Sequence, residues 1–279
     1  MWITMFCTKN RHVLISLVQG LSDFTGFPPN FDKFMQQLNF YSKIHLCYLT
    51  GGSLMYFVLF APLHKRNCDE LKREKNLTET CSLLLPLNAP FVEYQSFGKF
   101  PTLQLLNIII FLSLMYMYMC AGTIVWLNVE LVEHIRIRIR HLKHMILRAL
   151  KSNDKQFRRE KFRKAVRYHE YICSMSRLAD EFFGTELFLH VVLTGAILGI
   201  SAYLIGDGSL ETVMIFVGWL NAIIMGSVAG QRLINESLGI SDIIYEVDWY
   251  NFETALKKDI LFFLVYAARN LCLLGLGMW

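Results

Sequence analysis

Three histidines near the middle of the chain are the side chains best suited to chemistry. His141 and His144 form an H-x-x-H pair, and His134 lies nearby. Imidazole nitrogens bind iron, and membrane desaturases hold iron with several histidine boxes of this kind. This chain has a single box, which sits within a run of basic side chains. A solvated basic face explains the pair better than a metal site does.

Nothing else in the sequence is typical of catalysis. It has no paired carboxylates within its apolar segments, no Cys-x-x-Cys motif and no glycine-rich phosphate loop. We therefore predict that the protein is not an enzyme and uses neither a metal nor a cofactor. A small transporter is an alternative, but transporters keep ionisable groups inside the bilayer. The apolar segments here carry such groups, Glu186, His190 and Glu211, near their ends.

The composition indicates the class of protein. Apolar residues make up 54% of the 279 residues, and the mean hydropathy is +0.35. The apolar residues also form long blocks, and a helix needs roughly 20 of them to cross a bilayer. No signal peptide is recognisable at the amino terminus. The sequence predicts an all-α, polytopic helical membrane protein with a cytoplasmic amino terminus.

Four segments are long and apolar enough to be clear transmembrane helices: residues 44–63, 102–127, 183–205 and 212–230. The region between the second and third spans holds fourteen lysines and arginines, whereas the turn between the third and fourth holds none. Cations accumulate in cytoplasmic loops, so this asymmetry sets the orientation. It predicts that residues 1–43, 128–182 and 231–258 are cytoplasmic and that residues 64–101 and 206–211 are extracellular. Hydropathy alone predicts a further membrane span at residues 260–279, so the end of the segment 231–279 stays open at this point.

The predicted extracellular loop 64–101 carries cations of its own, which weakens the charge argument, but two features support its placement. Asn76 begins an Asn-Leu-Thr glycosylation sequon, which is used on the lumenal side of a membrane. Cys68 and Cys81 lie in the same loop, where a disulfide could form between them.

The basic region 128–182 is predicted to be helical, although the letters IRIRIR within it resemble strand alternation. Apolar residues recur there at spacings of three and four, which is typical of a helix with one apolar face. This stripe favours packing on a partner helix. The alternative is a basic helix lying on anionic lipid. The residues of the stripe are Val132, Ile135, Ile139, Leu142, Ile146 and Ala149.

The outer halves of three spans carry aromatic and aliphatic side chains with a few hydroxyl and amide groups. Ser53, Tyr56 and Phe60 share one helical face because they lie at i, i+3 and i+7. Such surroundings suit a small, apolar, mostly uncharged ligand, although aromatic residues at this spacing are also common in cores and facing lipid. The candidate ligand-binding residues are Ser53, Tyr56, Phe60, Asn107, Ile110, Phe111, Met214, Phe216 and Trp219.

Two pairs of glycines lie four residues apart within the spans. They are Gly195 with Gly199, and Gly226 with Gly230. Small residues at this spacing let two membrane helices approach closely. We interpret both pairs as packing surfaces between helices.

The C-terminal stretch ISDIIYEVDWYNF, followed by LKKDILFFLVYAARNLCLLGLGMW, resembles the C-terminal signature of insect odorant receptors. The loop sequence LLLPLNAPF ahead of the longest span, and the long cytoplasmic helical region after it, are also similar to that family. The similarity covers essentially the whole chain and is most specific over residues 241–279. The matching residues of the signature are Tyr245, Asp248, Trp249, Tyr250, Lys257 and Lys258.

This resemblance implies a function. Insect odorant receptors have seven transmembrane helices and are odorant-gated, non-selective cation channels, in which a tuning subunit and a shared co-receptor form a heterotetramer. A chain of this kind would be a multi-pass protein of the plasma membrane of sensory-neuron dendrites. Its partners would be a small apolar volatile ligand, the co-receptor subunit and membrane lipid, with no nucleic acid.

The resemblance also implies roles for the segments. The four spans resemble helices three to six of the family, whose ligand lies in the outer half of the bundle among helices two, three, four and six. Residues 128–182 and 231–270 would form a cytoplasmic anchor domain, in which Tyr245, Trp249 and Tyr250 are packing anchors. The chain would be a fragment that lacks helices one and two and the pore-lining end of helix seven, so no pore residue can be assigned.

Two other receptor classes fit less well. A gustatory receptor of the same superfamily is the closest alternative, but those proteins carry a different C-terminal signature. A rhodopsin-like receptor would show an Asp-Arg-Tyr-like triad after a span, and residues 128–140 contain none.

Overall fold

The computed structural model describes residues 11–22, 31–55, 102–206 and 212–267, together with the isolated positions 58, 66, 70 and 73. Within these residues the structure is helical and has no β-strand, which confirms the predicted all-α class. The helices are α1 (Arg11–Ser22), α2 (Phe31–Met55), α3 (Thr102–Leu150), α4 (Lys155–Gly206), α5 (Thr212–Tyr245) and α6 (Thr254–Ala267), with a short 3-10 helix at Trp249–Asn251.

Three of the described helices, α3, α4 and α5, are long and apolar enough to cross a membrane. α3 has 49 residues and α4 has 52. At about 1.5 Å per residue, each is more than twice as long as the roughly 30 Å hydrocarbon layer of a bilayer. Each helix must therefore continue from the membrane into water. The first predicted span, 44–63, starts within α2, and most of its second half lies outside the described residues.

A four-residue connection, 151–154, joins α3 to α4 and turns the chain back on itself. Asp154 begins the new helix, since its Oδ1 accepts hydrogen bonds from the backbone N–H groups of Gln156 at 2.9 Å and Phe157 at 3.4 Å. Arg158 closes the turn by donating from Nε and Nη2 to the carbonyl oxygen of Ser152, at 2.9 and 2.6 Å. The sequence IRIRIR lies inside α3, so its helical interpretation is correct.

The chain divides into two compact units. The first consists of Met1–Leu38, Leu127–Ile197 and Trp219–Trp279, and the second of Asn39–Trp126 and Leu198–Gly218. The predicted membrane spans begin and end at other residues than these two units do, and the bounds of the spans stay predictions.

The core of the first unit is built on the apolar stripe of α3. All six residues of the stripe are at most 1% exposed, so the stripe packs on partner helices, as predicted, and does not lie on lipid. α1 is tied to the same core, because Arg138 Nη2 donates to the carbonyl of Leu21 at 2.8 Å and the Tyr171 hydroxyl donates to the carbonyl of Gly20. The facing core residues are Phe162, Ala165 and Ile172 of α4, Leu233, Ile240 and Ile244 of α5, and Leu256, Ile260 and Phe263 of α6.

In the second unit, α2 packs closely on α3 at a glycine. A Cβ added at Gly122 would lie 2.4 Å from Cδ2 of Leu49, a residue that is 3% exposed. His45 Nε2 lies 3.1 Å from the carbonyl oxygen of Gly122, and its ring stacks on Trp126 at 4.9 Å between centroids. The indole N–H of Trp126 in turn donates to the hydroxyl of Ser42 at 2.7 Å. A side chain at position 122 would therefore force Leu49 to move.

Among the helices that the structure describes, none packs on the paired glycines, so their interpretation as packing surfaces stays a prediction. Nothing lies within 4 Å of a Cβ added at Gly195, Gly199, Gly226 or Gly230. The close helix approach occurs at Gly122, where a neighbouring leucine fills the space. Spacing alone does not reveal whether another helix lies opposite a glycine pair.

Candidate functional site

The second unit contains most of the candidate ligand-binding residues that the structure describes. Ser53 and Ile110 are buried, at 6% and 8% exposure. The Ser53 hydroxyl donates to the carbonyl of Leu49 at 2.8 Å, so it keeps only its capacity to accept. Four further candidates are half-buried: Asn107, Phe111, Met214 and Phe216.

The other three candidates do not belong to this group. Tyr56 and Phe60 lie outside the described residues. Trp219 belongs to the first unit, where its ring centroid lies 5.6 Å from that of His190 on α4. A single pocket formed by all nine candidates therefore stays a prediction.

Sequence reasoning missed Tyr118 of α3, which has a central place in the second unit. Its hydroxyl would lie 3.5 Å from a Cβ added at Gly52 of α2, and 3.8 Å from one added at Gly218 of α5. The phenol therefore lies where α2, α3 and α5 meet. The feature of the sequence that points to this contact is the adjacent pair Gly51 and Gly52. Glycines have no side chain, so they leave room for a long aromatic side chain from a neighbouring helix.

A network of charged side chains joins α3 to α5 in the first unit. Glu236 of α5 accepts from Lys143 Nζ at 2.8 Å and from Arg140 Nε at 3.0 Å, and Arg136 Nη2 lies 3.9 Å away. Glu133 of α3 similarly faces Arg232 of α5 at 3.7 Å. Burial alone would raise the pKa of Glu236, but the hydrogen bonds and charges of Lys143 and Arg140 outweigh it, so the pKa lies below its usual value. The carboxylate is a fixed anion among cations, which is a structural arrangement.

A cysteine and a histidine of α4 lie side by side on the face of that helix that packs against α6. Cys173 Sγ is 3.8 Å from Nε2 of His169, whose ring meets Phe263 and Tyr266 edge-on, with centroids 5.1 and 5.5 Å apart. Burial lowers the pKa of His169 to about 4 and raises the pKa of the Cys173 thiol. A reactive pair needs the opposite shifts, a thiolate beside an imidazolium. This pair is therefore a packing element of the core.

The three histidines of α3 have different surroundings. His134 packs against the rings of Phe31 and Phe34, each 6.0 Å away, and burial lowers its pKa. His141 meets Tyr168 edge-on at 5.8 Å, whereas His144 is exposed. The interpretation of the His141–His144 pair as a solvated basic face holds for His144, whereas His141 is half-buried. Among the described residues, no group of three histidine, cysteine or acidic side chains is placed to hold a metal ion.

The C-terminal signature lies on the surface of the first unit. Trp249 packs against the core, whereas Tyr245 and Tyr250 are 66% and 60% exposed. Phe252 lies under the guanidinium of Arg158, whose carbon is 4.2 Å from the ring centroid. Within one subunit Trp249 alone of the three predicted anchors is packed, so a packing role for the two tyrosines requires a second molecule. The predicted glycosylation site Asn76 and the cysteines Cys68 and Cys81 lie outside the described residues.

A comparison with models of known protein families finds a match to the 7tm odorant receptor family over residues 29–279, all but the first 28 residues. The chain belongs to this odorant receptor family. The family is one of receptors and channels, in line with the predicted absence of catalysis. The match extends from α2 to the C-terminal signature and covers all the described residues except those of α1.

The odorant receptor also carries an exposed apolar surface on α6. Leu261, Phe262 and Val265 are 50%, 77% and 74% exposed, although the opposite face of the same helix is part of the core. A groove of about 740 Å³ runs along this surface between α4 and α6. Its rim is charged, with Arg163, Arg167 and Arg177 on one wall and Glu170 and Asp259 among the lining residues. Exposed apolar residues with a charged rim are typical of a protein interaction surface.

Proposed function

We propose that this odorant receptor is the tuning subunit of an odorant-gated, non-selective cation channel in the plasma membrane of sensory-neuron dendrites. The single observation that carries the proposal is the family match over residues 29–279, combined with three described helices that can cross a membrane. The same match favours an odorant receptor over a gustatory receptor and a transporter.

The ligand is a small apolar volatile molecule that binds in the second unit. The burial of Ser53 and Ile110 supports this location, as does the position of Tyr118 against the glycines of two helices. Apolar walls with a few hydroxyl groups suit such a molecule, because dispersion contacts supply affinity and the hydroxyls select orientation. The side chains of Tyr56, Phe60, Asn107, Phe111, Met214 and Phe216 are proposed to contribute to the same recognition. Trp219 belongs to the first unit and is proposed as a separate ligand contact.

The partner is the co-receptor subunit, which assembles with this chain through the first unit. The exposed face of α6 and the exposed rings of Tyr245 and Tyr250 support this assignment. Monomeric proteins rarely leave such a group of large apolar side chains in water, because burying them is favourable by about 25 cal/mol per Å². Trp249 would position the signature segment from inside the subunit.

The test is functional expression of the receptor with the co-receptor in a cell that lacks other odorant receptors. Whole-cell currents are measured while the volatile compounds of a panel are applied one at a time. The proposal expects at least one compound to evoke a cation current that co-receptor alone does not give. If both subunits reach the surface together and a broad panel gives the same currents as co-receptor alone, the tuning role is wrong.

A further inference from the structure

The inward face of α4 is polar where the helix is expected to cross the membrane. His190 and Thr194 lie at i and i+4, and Ser201 follows two turns later on the same side. Thr194 is 0% exposed and Ser201 is 4% exposed, whereas Val191, Val192 and Leu193 on the other side are 56%, 52% and 60% exposed. The inward side also carries half-buried Ile197 and Leu198, so it combines apolar side chains with polar ones that face the other helices. Polar groups inside a membrane bundle are costly to keep, so a functional role is the default expectation for them.

Two atoms of this face have no hydrogen-bond partner anywhere in the described chain: Nε2 of His190 and Oγ1 of Thr194. In hydrocarbon there is no bulk water to satisfy them, and a buried polar group without a partner is unfavourable. A helical threonine commonly bonds to the carbonyl four residues earlier, but Thr194 does not. Both atoms are therefore available to a molecule that can bond to them.

We infer that His190 and Thr194 form a subsite that recognises the hydroxyl group of an alcohol ligand. Side chains at i and i+4 are neighbours on the surface of a helix, with Cβ atoms about 5–6 Å apart, so a small group that lies between them is within reach of both. One hydroxyl can therefore bridge the pair. It donates to Nε2 and accepts from the Thr194 hydroxyl, or reverses both roles for the other imidazole tautomer. A carbonyl oxygen can only accept, and a hydrocarbon can do neither.

The surroundings of the pair fit the rest of such a ligand. Trp219 of α5 lies against His190, with ring centroids 5.6 Å apart, and offers an apolar wall. Gly195, the residue after Thr194, is exposed, and nothing lies within 4 Å of a Cβ added there. The outward surface of α4 is therefore open at Gly195, whereas the pair itself faces the other helices. This subsite lies on α4, outside the group of candidate residues in the second unit, and its role as an odorant contact rests on the proposed function.

Direct binding tests the subsite without reference to channel activity. The purified receptor in lipid nanodiscs is labelled with a photoreactive, diazirine-bearing octanol, and the labelled peptides are identified by mass spectrometry. Label is expected on the peptides that carry His190 or Trp219. Competition by 1-octanol is expected to exceed that by n-octane by about tenfold or more at equal membrane concentration, because octane leaves both atoms unpaired.

Three variants determine whether the hydroxyl contact is responsible. Thr194→Val keeps the shape and removes the hydroxyl, so it is expected to bring the octanol-to-octane ratio near one. Thr194→Ser restores a hydroxyl and is expected to restore the preference. Ser201→Ala is the control. It removes a hydroxyl from the same face of α4, but from a residue whose hydroxyl is not among the atoms without a partner, so the octanol-to-octane ratio is expected to stay that of the unmodified receptor. Equal competition by octanol and octane in the unmodified receptor, or an unchanged ratio in Thr194→Val, would overturn the inference.

Currents recorded with the co-receptor separate this inference from the proposed function. If octanol labels the subsite and no odorant evokes a current, the subsite stands and the channel role is wrong. If odorants evoke currents and Thr194→Val leaves the preference of the labelling unchanged, the channel role stands and the subsite is wrong.

Discussion

The ammonium of Lys143 on α3 lies 2.8 Å from the carboxylate of Glu236 on α5, across 93 residues of chain. Both side chains are 15% exposed, so water screens the pair weakly. Glu236 also accepts a hydrogen bond from Arg140 Nε, so one carboxylate pairs with two cations of a strongly basic helix. The network therefore holds α5 in register against the basic stretch of α3 and offsets the repulsion within that stretch.

Replacing Glu236 by glutamine is expected to destabilise the receptor by about 2 kcal/mol. An amide keeps the shape but leaves Lys143, which is largely buried, without a counter-ion, and unpaired buried charge is costly. The measurement is thermal unfolding of the purified protein in detergent, compared with the unmodified chain. Glu246→Gln is the control, because Glu246 is exposed and its replacement is expected to change stability by no more than about 0.5 kcal/mol. Equal effects of the two substitutions would contradict the role of Glu236.

His169 is expected to make the stability of the first unit depend on pH. Its pKa is about 4 in the folded chain against 6.5 for an ordinary histidine, since the ring is 2% exposed. As pH falls below 6.5, His169 becomes protonated in the unfolded chain, whereas in the folded chain it stays neutral until about pH 4. Stability is therefore complete above this window and declines through it, by an amount on the order of 3 kcal/mol.

A phenylalanine at position 169 keeps an aromatic ring against Phe263 and Tyr266 and cannot titrate. His169→Phe is therefore expected to flatten the loss of thermal stability between pH 6.5 and about 4. His144→Gln serves as the control, because that histidine is exposed. If the slope of His169→Phe matches that of the unmodified chain, other groups determine the pH dependence.

Gly122→Ala is expected to loosen the contact between α2 and α3 and to lower stability by about 1–3 kcal/mol, the usual effect of overpacking. The added methyl group would lie 2.4 Å from Cδ2 of Leu49, which must change its rotamer within a packed site. Gly195→Ala is a matched control, since the same methyl group meets nothing within 4 Å there. Thermal unfolding of both variants in nanodiscs distinguishes them, and a larger loss in Gly195→Ala would contradict the structure.

These positions also show what sequence reasoning can and cannot reach. The stripe of Ile135, Ile139, Leu142 and Ile146 was predictable because the period of a helix places residues three and four apart on one face. The spacing of glycines along a helix does not indicate whether another helix packs against them. Gly122 meets Leu49, and Gly195 does not meet anything, although both are glycines within apolar segments.

Contacts distant along the chain escaped prediction for the same reason. His134 is half-buried and packs against Phe31 and Phe34, about a hundred residues earlier in the sequence. The place of Tyr118 was not predicted, because its neighbours on α2 and α5 come from separate parts of the chain. Local pattern determines which face of a helix is apolar, and only tertiary packing determines what covers it.

Substitutions at the adjacent residues Phe262 and Phe263 of α6 distinguish a role in subunit assembly from a role in folding. Phe262 is 77% exposed and Phe263 is 4% exposed. Phe262→Ala is expected to reduce co-purification with the co-receptor severalfold while subunit stability stays within about 0.5 kcal/mol. Phe263→Ala is expected to destabilise the subunit itself by about 3–5 kcal/mol, because it opens a cavity in the core. Undiminished co-purification of Phe262→Ala would remove this face of α6 from the proposed interface.

The isoleucines at 109 and 110 test the proposed ligand site in the second unit. Both lie on α3, and Ile109 is 56% exposed whereas Ile110 is 8% exposed. Ile110→Ala removes apolar contacts inside the bundle, worth about 1–3 kcal/mol for a ligand that fills the space. Odorants that depend on that wall are expected to need roughly tenfold higher concentrations for half-maximal current. Ile109→Ala makes the same chemical change on the outward face and is expected to leave the odorant profile unchanged. The comparison is made at equal surface expression, because Ile110→Ala also costs stability. If the two variants shift the profile alike, or if neither does, Ile110 is not a ligand contact and its burial serves helix packing alone.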